Sequence, residues 1–518
     1  HHLTIWIGDT RQGAIRASHD FSIEKLPEGL PYYPLTVTFY EPQHCPQQQV
    51  STIFLFPHRR NSTECGFEFA TRDGCPDFRG RLVISYQDAV LQTLLLTGSV
   101  EPDPAQAAPE MAFKLLIEAA LQDDFNALPQ MLGRDAHLLA ELRSDALCIT
   151  MQVKGKARET CVPDFKALVK TMSAQFEALS KIPDKFKNLT DPASVNLLRV
   201  LAEHGYALYE ELAAQLGRDH LIFQPDIARL QLLSTQEALV PLELVYTADE
   251  LVSESAPLCP SAEQALRDGR CACNKLDQKR AAAGEIICPL RFWGLSRLIE
   301  RHKIPQDVEL DEDLPRLNPS ENIPALHVIQ SAVVAASDRA SDFLTGLQQA
   351  VQDNFQQASG VIGDWETWPE AVQQFNPSLL LLIPHAKEQD GFMALEIGKK
   401  STLKVNRVRQ EHVRSRPERH PVALVLGCST AKAEISFESC TAYFRRGGAA
   451  LTVTTLSPVL ARHVVPVAVR LVQELKLAAQ EQRSFGAALL RARQQALADG
   501  YPAAMTLIAD GNMDWPVD

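Results

Sequence analysis

The sequence predicts an α/β architecture: a mostly parallel sheet with helices on both faces, preceded by a small β-rich, sandwich-like N-terminal domain and a helical middle region. Three observations predict it. Short runs rich in β-branched and aromatic residues crowd residues 1–100. From residue 111 apolar positions recur at three- and four-residue spacing. In the C-terminal third, continuous apolar runs alternate with amphipathic stretches, the pattern of parallel strands covered by helices.

The N-terminal runs are TIWIG, PLTVTFYE, STIFLFP, GFEFATR and RLVISY, separated by Pro and Gly clusters. Several strands at this spacing suggest a small sandwich. Residues 101–110, EPDPAQAAPE, hold three prolines and read as a linker. The middle region, 111–228, shows helical periodicity in AFKLLIEAALQDDF and in VNLLRVLAEHGYALYEELAAQL, with one strand-like run, DALCITMQV, between them. Residues 229–322 begin with an apolar, strand-capable stretch ending in PLEL and continue into a loop-rich insertion with four cysteines. Residues 323–518 open with the buried-strand candidate ALHVIQSAVV and the helix-like SDFLTGLQQAVQDNF. They continue with strand LLLLI before His385, strand VALVLG before Cys428, helix FESCTAYFRRG, strand ALTVTT, two helices, and a last strand near AMTLIAD.

Size, charge and cysteine content narrow the function classes. A chain of 518 residues exceeds one core and implies about two to four domains. With 45% hydrophobic and 22% charged residues, wholesale disorder is excluded. A net charge of −13 opposes direct nucleic-acid binding. The densest basic run, Lys399, Lys400, Lys404, Arg407 and Arg409, reads as a solvated loop. No apolar run reaches the ~18 residues of a membrane span. Residues 1–9 read as a strand and not as a secretion signal. Eleven cysteines, an odd number, form no dense disulfide framework, and a reducing cytoplasm is the expected setting.

In open parallel sheets, functional groups gather at the carboxyl ends of strands. His385 follows SLLLLIP and Cys428 follows PVALVLG, so both are expected at one sheet edge. Their separation, 428 − 385 = 43, leaves room for one crossover between neighbouring parallel strands. The pairing has a chemical logic. A free thiol, with a pKa of about 8.5, is mostly protonated at neutral pH. A neighbouring imidazole can take the proton, the thiolate can attack a peptide carbonyl, and backbone N–H groups can stabilise the oxyanion. Gly427 removes bulk where a peptide must approach, and the small residues Ser429, Thr430 and Ala431 allow a tight exit from the strand. The bland reading of each residue alone is structural: a small buried cysteine, a strand-end histidine.

These segments resemble a known family. NPSLLLLIPHA, PVALVLGCSTA, FRRGGAALTVTTLSPV and FGAALLRARQQAL are similar, in order, to the segments of the CHAT domain, a member of the caspase/separase-like clan of cysteine peptidases. ALVPLELVY resembles the PWE-type strand that often precedes such domains. The resemblance implies a caspase-like fold over 323–518, with 229–322 as a pseudo-half. It implies endopeptidase activity through a His385–Cys428 dyad, and an oxyanion hole at Ala386 and Cys428. It also implies a protein substrate, control by an activating protein or ligand, and a role in bacterial antiviral defence. Charged pockets select the residue before the cut in this clan, and Asp364 and Asp390 are the favoured candidates here, with Glu388 and Glu434 behind them. Two departures stand out. Ala386 replaces the Gly that usually follows the histidine, and Ala adopts φ > 0 at a cost. Leu242 replaces the Trp of the PWE segment. The alternative function is a catalytically inactive caspase-like scaffold, which a thiol-reactive peptide probe would not label selectively at Cys428.

No cofactor is required by this chemistry. Cys259, Cys271, Cys273 and Cys288 lie within 30 residues, in a stretch poor in apolar side chains. Structural zinc, free thiols and disulfides all remain open for them, since C-x-C is less diagnostic than paired C-x-x-C knuckles. A zinc-dependent hydrolase is disfavoured because no H-E-x-x-H pattern occurs. Trp365 and Trp368 are expected in the core.

Overall fold

The computed structural model describes residues 1–11, 14–15, 30–41, 43–59, 61–72, 75–100, 113–121, 133–143, 145–235, 238–304, 326–390, 392–429, 438–457 and 459–518. The linker expected over 101–110 and the acidic candidate Glu434 lie outside them.

The N-terminal part consists of β1 (His2–Ile5), β2 (Tyr33–Glu41), β3 (Cys45–Phe56), β4 (Asn61–Ser62), β5 (Cys65–Glu68), β6 (Asp77–Tyr86), β7 (Ala89–Ser99) and β8 (Lys114–Ala120). They form a six-stranded antiparallel sheet, β4-β3-β2-β6-β7-β8, and a two-stranded β1–β5 ladder. Alternate residues of β2, Tyr33, Leu35, Val37 and Phe39, enter one core together with Phe67 of β5 and Phe78 of β6. The β6–β7 hairpin turns on Gln87 and Asp88, both at positive φ, as a two-residue primed turn requires. Strand β8 corrects the expectation of a helix in AFKLLIEAALQDDF. Its backbone groups complete the ladder along β7, and tertiary pairing overrides the local periodicity. The β-rich part therefore extends past residue 100.

The middle region contains more strand than expected: β9 (Ala136–Arg143), β10 (Ala146–Val153) and β11 (Lys156–Val162), before α1 (Phe165–Gln175), α2 (Glu177–Lys181) and α3 (Pro192–Leu216). A disulfide joins Cys148 to Cys161, its direct partner across β10–β11, a pairing the sequence reading did not anticipate. Next come β12 (Arg229–Thr235), α4 (Ala262–Asp268), α5 (Lys275–Ala282), α6 (Trp293–Ser296) and β13 (Leu298–Ile304). The strand expected to reach PLEL ends at Thr235, and Leu242–Leu244 is a 3-10 turn. Pro241, which has no N–H for a ladder, precedes that turn. Gly205 of α3 lets the helix lie directly on it: a Cβ at this position would stand 3.0 Å from the Tyr246 nitrogen.

The C-terminal part runs β14 (Ser331–Ala336), α7 (Leu344–Asn354), β15 (Gln357–Ile362), α8 (Trp368–Phe375), β16 (Leu379–Ile383), β17 (His385–Gln389), β18 (Phe392–Ile397) and β19 (Ser401–Lys404). It continues with β20 (Val422–Val425), β21 (Cys428–Ser429), α9 (Glu438–Arg446), β22 (Leu451–Thr455), α10 (Ala461–Glu481), α11 (Phe485–Ala498) and β23 (Leu507–Asp510). One eleven-stranded sheet, β11-β10-β9-β12-β13-β23-β22-β20-β16-β14-β15, crosses the boundaries expected at 228 and 322. It is mixed: β9, β10 and β11 pair antiparallel, as do β22 and β23, and the other neighbours are parallel. Strand β23 sits between β13 and β22 and so joins the two halves.

Both faces of the central strands are buried, with period two. Leu379, Leu381 and Ile383 of β16, with Val422 and Leu424 of β20, face a large core shared with α3, α7, α10 and α11. Leu380, Leu382, Ala423 and Val425 face a second core. Each fully buried leucine here contributes about 1.5–3 kcal/mol. The second core is not capped by helices alone, as expected. Trp368 of α8 and Phe444 of α9 share it with Ala386, Met393, Leu395 and Ile397 of a separate four-stranded sheet, β19-β18-β17-β21. Trp365 and Trp368 are core residues: their indoles donate to the Leu395 and His412 carbonyls at 2.8 Å each. Among the described residues, no helix is long and apolar enough to cross a membrane.

Candidate active site

Strands β16 and β20 are parallel neighbours, with Leu382 paired to Val425. Pro384 cannot donate to the ladder, so the first strand leaves the large sheet there. After Val425 the second strand leaves through Leu426 and Gly427, with the Leu426 N–H still bonded to the Leu382 carbonyl at 2.9 Å. Three residues beyond the Leu382–Val425 pair, both chains enter the small sheet in the same register. His385 pairs in parallel with Cys428, and Ala386 with Ser429. Neighbouring strands run about 4.8 Å apart. The two residues singled out in the sequence are therefore direct cross-strand partners. The expected crossover between β16 and β20 is a β-hairpin unit, β17–β18–β19, followed by 3-10 turns at Val405–Arg407 and Gln410–His412.

His385 is only 3% exposed. On its other side it pairs with Glu396 of β18. Directly opposed residues of a sheet share a face, so Glu396 stands on the His385 face. Its carboxylate is buried and accepts from Lys387 Nζ at 2.9 Å, with Arg339 Nε at 3.9 Å. Sequence reasoning missed this carboxylate. The only available signal was the Glu in the alternating run FMALEI, and nothing local marks its register with His385. Ala386 is extended strand, outside the residues at positive φ, and its side chain enters the second core. Alanine carries no left-handed backbone strain at this position.

Asp364 and Asp390 are held by opposite ends of β19, Ser401 and Lys404. Asp364 ties down the loop before α8: its Oδ1 accepts from the Glu366 N–H at 3.0 Å and from Ser401 Oγ at 2.7 Å, contacts that hold its carboxyl below the usual range. Asp390 sits in the β17–β18 turn, paired with Lys404 at 2.5 Å, which lowers its pKa. Five strand steps separate it from His385, about 16 Å.

The four cysteines of residues 259–288 converge. Sγ separations are 2.8 Å for Cys259–Cys273, 2.7 Å for Cys271–Cys273 and 3.8 Å for Cys271–Cys288. All four are free thiols. Donation from Cys288, and further contacts with Cys273 and Ser261, bring Cys259 down to about 5, while desolvation pushes Cys273 up to about 12. The segment around them does have a core, contrary to expectation: Val252, Ala256, Ala262, Leu266, Ile286 and Ile287 belong to the large cluster.

No family model and no curated protein matches the chain. Among solved structures it is similar to two crystal structures of the Saccharomyces cerevisiae separase–securin complex. One matches at 11% identity with a TM-score of 0.36, the other at 10% with a TM-score of 0.33. Each match covers 74% of this chain and 30% of that chain, so the present chain spans under a third of those proteins.

Proposed function

We propose that this chain is a caspase-like cysteine endopeptidase of CHAT type, in which His385 and Cys428 form the catalytic dyad. The observation that carries the reading is the strand register that makes the two residues cross-strand partners. In this mechanism the imidazole takes the Cys428 proton, and the thiolate attacks the carbonyl carbon of the scissile peptide. Backbone N–H groups of Cys428 and Ala386 receive the oxyanion. The C–N bond breaks, the imidazolium proton passes to the leaving amine, and a thioester remains. Water, deprotonated by His385, then releases the acid and restores the thiol.

The finer points of the proposal rest on the family resemblance: one dedicated protein target, an activating partner or ligand, and a bacterial defence setting. Burial of His385 supports the regulated form, since a peptide reaches a side chain 3% exposed only after a rearrangement. Of the acidic candidates for a basic residue before the cut, Asp364 is the one we carry forward. It adjoins Gly363, which packs on Gly398 directly after β18.

The test compares cleaved partners, by N-terminal proteomics in the native cell, between wild type and Cys428→Ala. Cleavages lost in the variant, with its folding transition unchanged, support the dyad. Cleavages retained by a folded Cys428→Ala protein would sink it. An irreversible thiol-reactive peptide probe separates the enzyme from an inactive scaffold of the same fold, because only the enzyme labels selectively at Cys428.

A further inference from the structure

We propose that Cys259, Cys271, Cys273 and Cys288 form a closed tetrahedral zinc site that staples the segment between β12 and β13. The site is independent of the proteolytic reading. Its ligands arrive from two places. Cys259 and Cys288 are brought together by backbone pairing: the Cys259 N–H donates to the Ile287 carbonyl, and the Ile287 N–H to the Pro257 carbonyl, at 2.8 Å each. Cys271 and Cys273 lie on the turn between α4 and α5. Gly269, at φ +71°, ends α4, and the Asn274 side chain caps α5 by accepting from the Asp277 N–H at 2.8 Å. The turn is thereby fixed at both ends and aimed at the paired segment.

The donor set and geometry favour zinc. A Zn–S bond of about 2.3 Å gives a tetrahedral S–S edge of about 3.8 Å. Cys271–Cys273 and Cys259–Cys273 are closer than that edge, and Cys271–Cys288 matches it. One ion coordinated by all four sulfurs would hold the closer pairs about 1 Å further apart. Cys259, Cys271 and Cys273 present their sulfurs within 4.8 Å of one another; Cys288, 3.8 Å from Cys271, stands beside that group and would close onto the ion as the fourth donor. Cys259 and Cys288 are 2% and 5% exposed. Four thiolates leave no position for water or substrate, so the site is structural and not catalytic.

The staple also has something to hold. Helix α4 packs on α11 through Arg267–Asp499 at 3.1 Å and through Arg491 Nη1 on the Leu266 carbonyl at 3.3 Å. The Cys288 N–H donates to the Tyr246 hydroxyl at 3.1 Å, next to the turn whose Glu243 pairs with Arg301 of β13. Zinc would therefore fix the segment against the half of the large sheet built on β12 and β13.

The test uses the full chain, produced in zinc-supplemented medium and purified in metal-free buffer without chelator. We expect about one zinc per chain by elemental analysis, and an absorption-edge spectrum showing four sulfurs at about 2.3 Å. The Cys271→Ser/Cys273→Ser double variant should lose most of the metal, whereas Cys428→Ala should keep it, which separates this site from the dyad. If the double variant fails to fold, cobalt substitution of the wild type reads the ligand set without mutation, through its thiolate charge-transfer band. Less than about half an equivalent in fully reduced wild type, iron in place of zinc, a nitrogen- or oxygen-dominated shell, or unchanged zinc in the folded double variant would each overturn the proposal.

Discussion

Replacing Gly398 by alanine tests how the small sheet is held over the large one. Gly398 follows β18 at φ +54°. It donates to the Ala336 carbonyl at 2.8 Å and accepts from the Asp338 N–H at 2.9 Å. A Cβ there would fall onto the Gly363 carbonyl oxygen and stand 2.9 Å from its carbon. Left-handed backbone costs an alanine about 1–2 kcal/mol. Moving packed backbone aside adds about 1–3 kcal/mol. Together the substitution should destabilise by about 2–5 kcal/mol. The strain falls at the end of β18, whose ladder partner β17 carries His385, so labelling of Cys428 by a thiol-reactive peptide should slow as well. The assay is urea unfolding followed by tryptophan fluorescence, since the Trp365 indole is bonded to Leu395 of β18. Gly346 is the control: it lies in α7 with open space around its Cβ position, and alanine there should stabilise by roughly 0.5–1 kcal/mol. A Gly398→Ala midpoint within about 0.5 kcal/mol of wild type would refute the reasoning.

Two further outcomes follow from buried charge. Glu243, itself 1% exposed, lies between the Arg301 guanidinium at 3.1 Å and that of Arg493 at 3.7 Å. Glu243→Gln removes the carboxylate from between two buried cations and should cost about 3–5 kcal/mol, read by thermal or urea unfolding; a loss under about 1 kcal/mol would contradict this account. Burial, with Arg462 adding to it, lowers His463 to about 4. Between the ordinary imidazole value of about 6.5 and that lowered value, the unfolded chain binds a proton that the folded chain does not. Stability should therefore fall as pH drops through this window, and His463→Gln should flatten the fall. An unchanged slope in the variant would assign the pH dependence to other groups.

The proposed pair, His385 and Cys428, was legible because of two local features. LLLLI and VALVLG are apolar on every position, which marks strands buried on both faces. Each is followed within a few residues by a proton acceptor or a nucleophile. The alternating halves of LLLLI facing two different cores bear this out. Long helices with three-and-four periodicity, such as α3 and α10, were equally plain. The misread elements share one cause. KLLIEAA has a helix-like spacing but completes a ladder on β7, and PLEL is strand-like but closes a turn against Gly205 of α3. In both, a partner distant in sequence decides the outcome, and no local pattern names that partner.

By itself, the sequence determined the α/β class, the strand ends that carry His385 and Cys428, and the grouping of four cysteines in one segment. Hydrophobic period and strand length are local properties of the chain, so they can be read locally. Only the tertiary structure decided the register that pairs residue 385 with residue 428, the Glu396 that joins their row, and the convergence of Cys259, Cys271 and Cys273 with Cys288 beside Cys271. Register depends on where two strands leave a shared sheet, and convergence depends on loops closed by hydrogen bonds between remote residues. Those quantities belong to pairs of segments, and they exist only once the chain has folded.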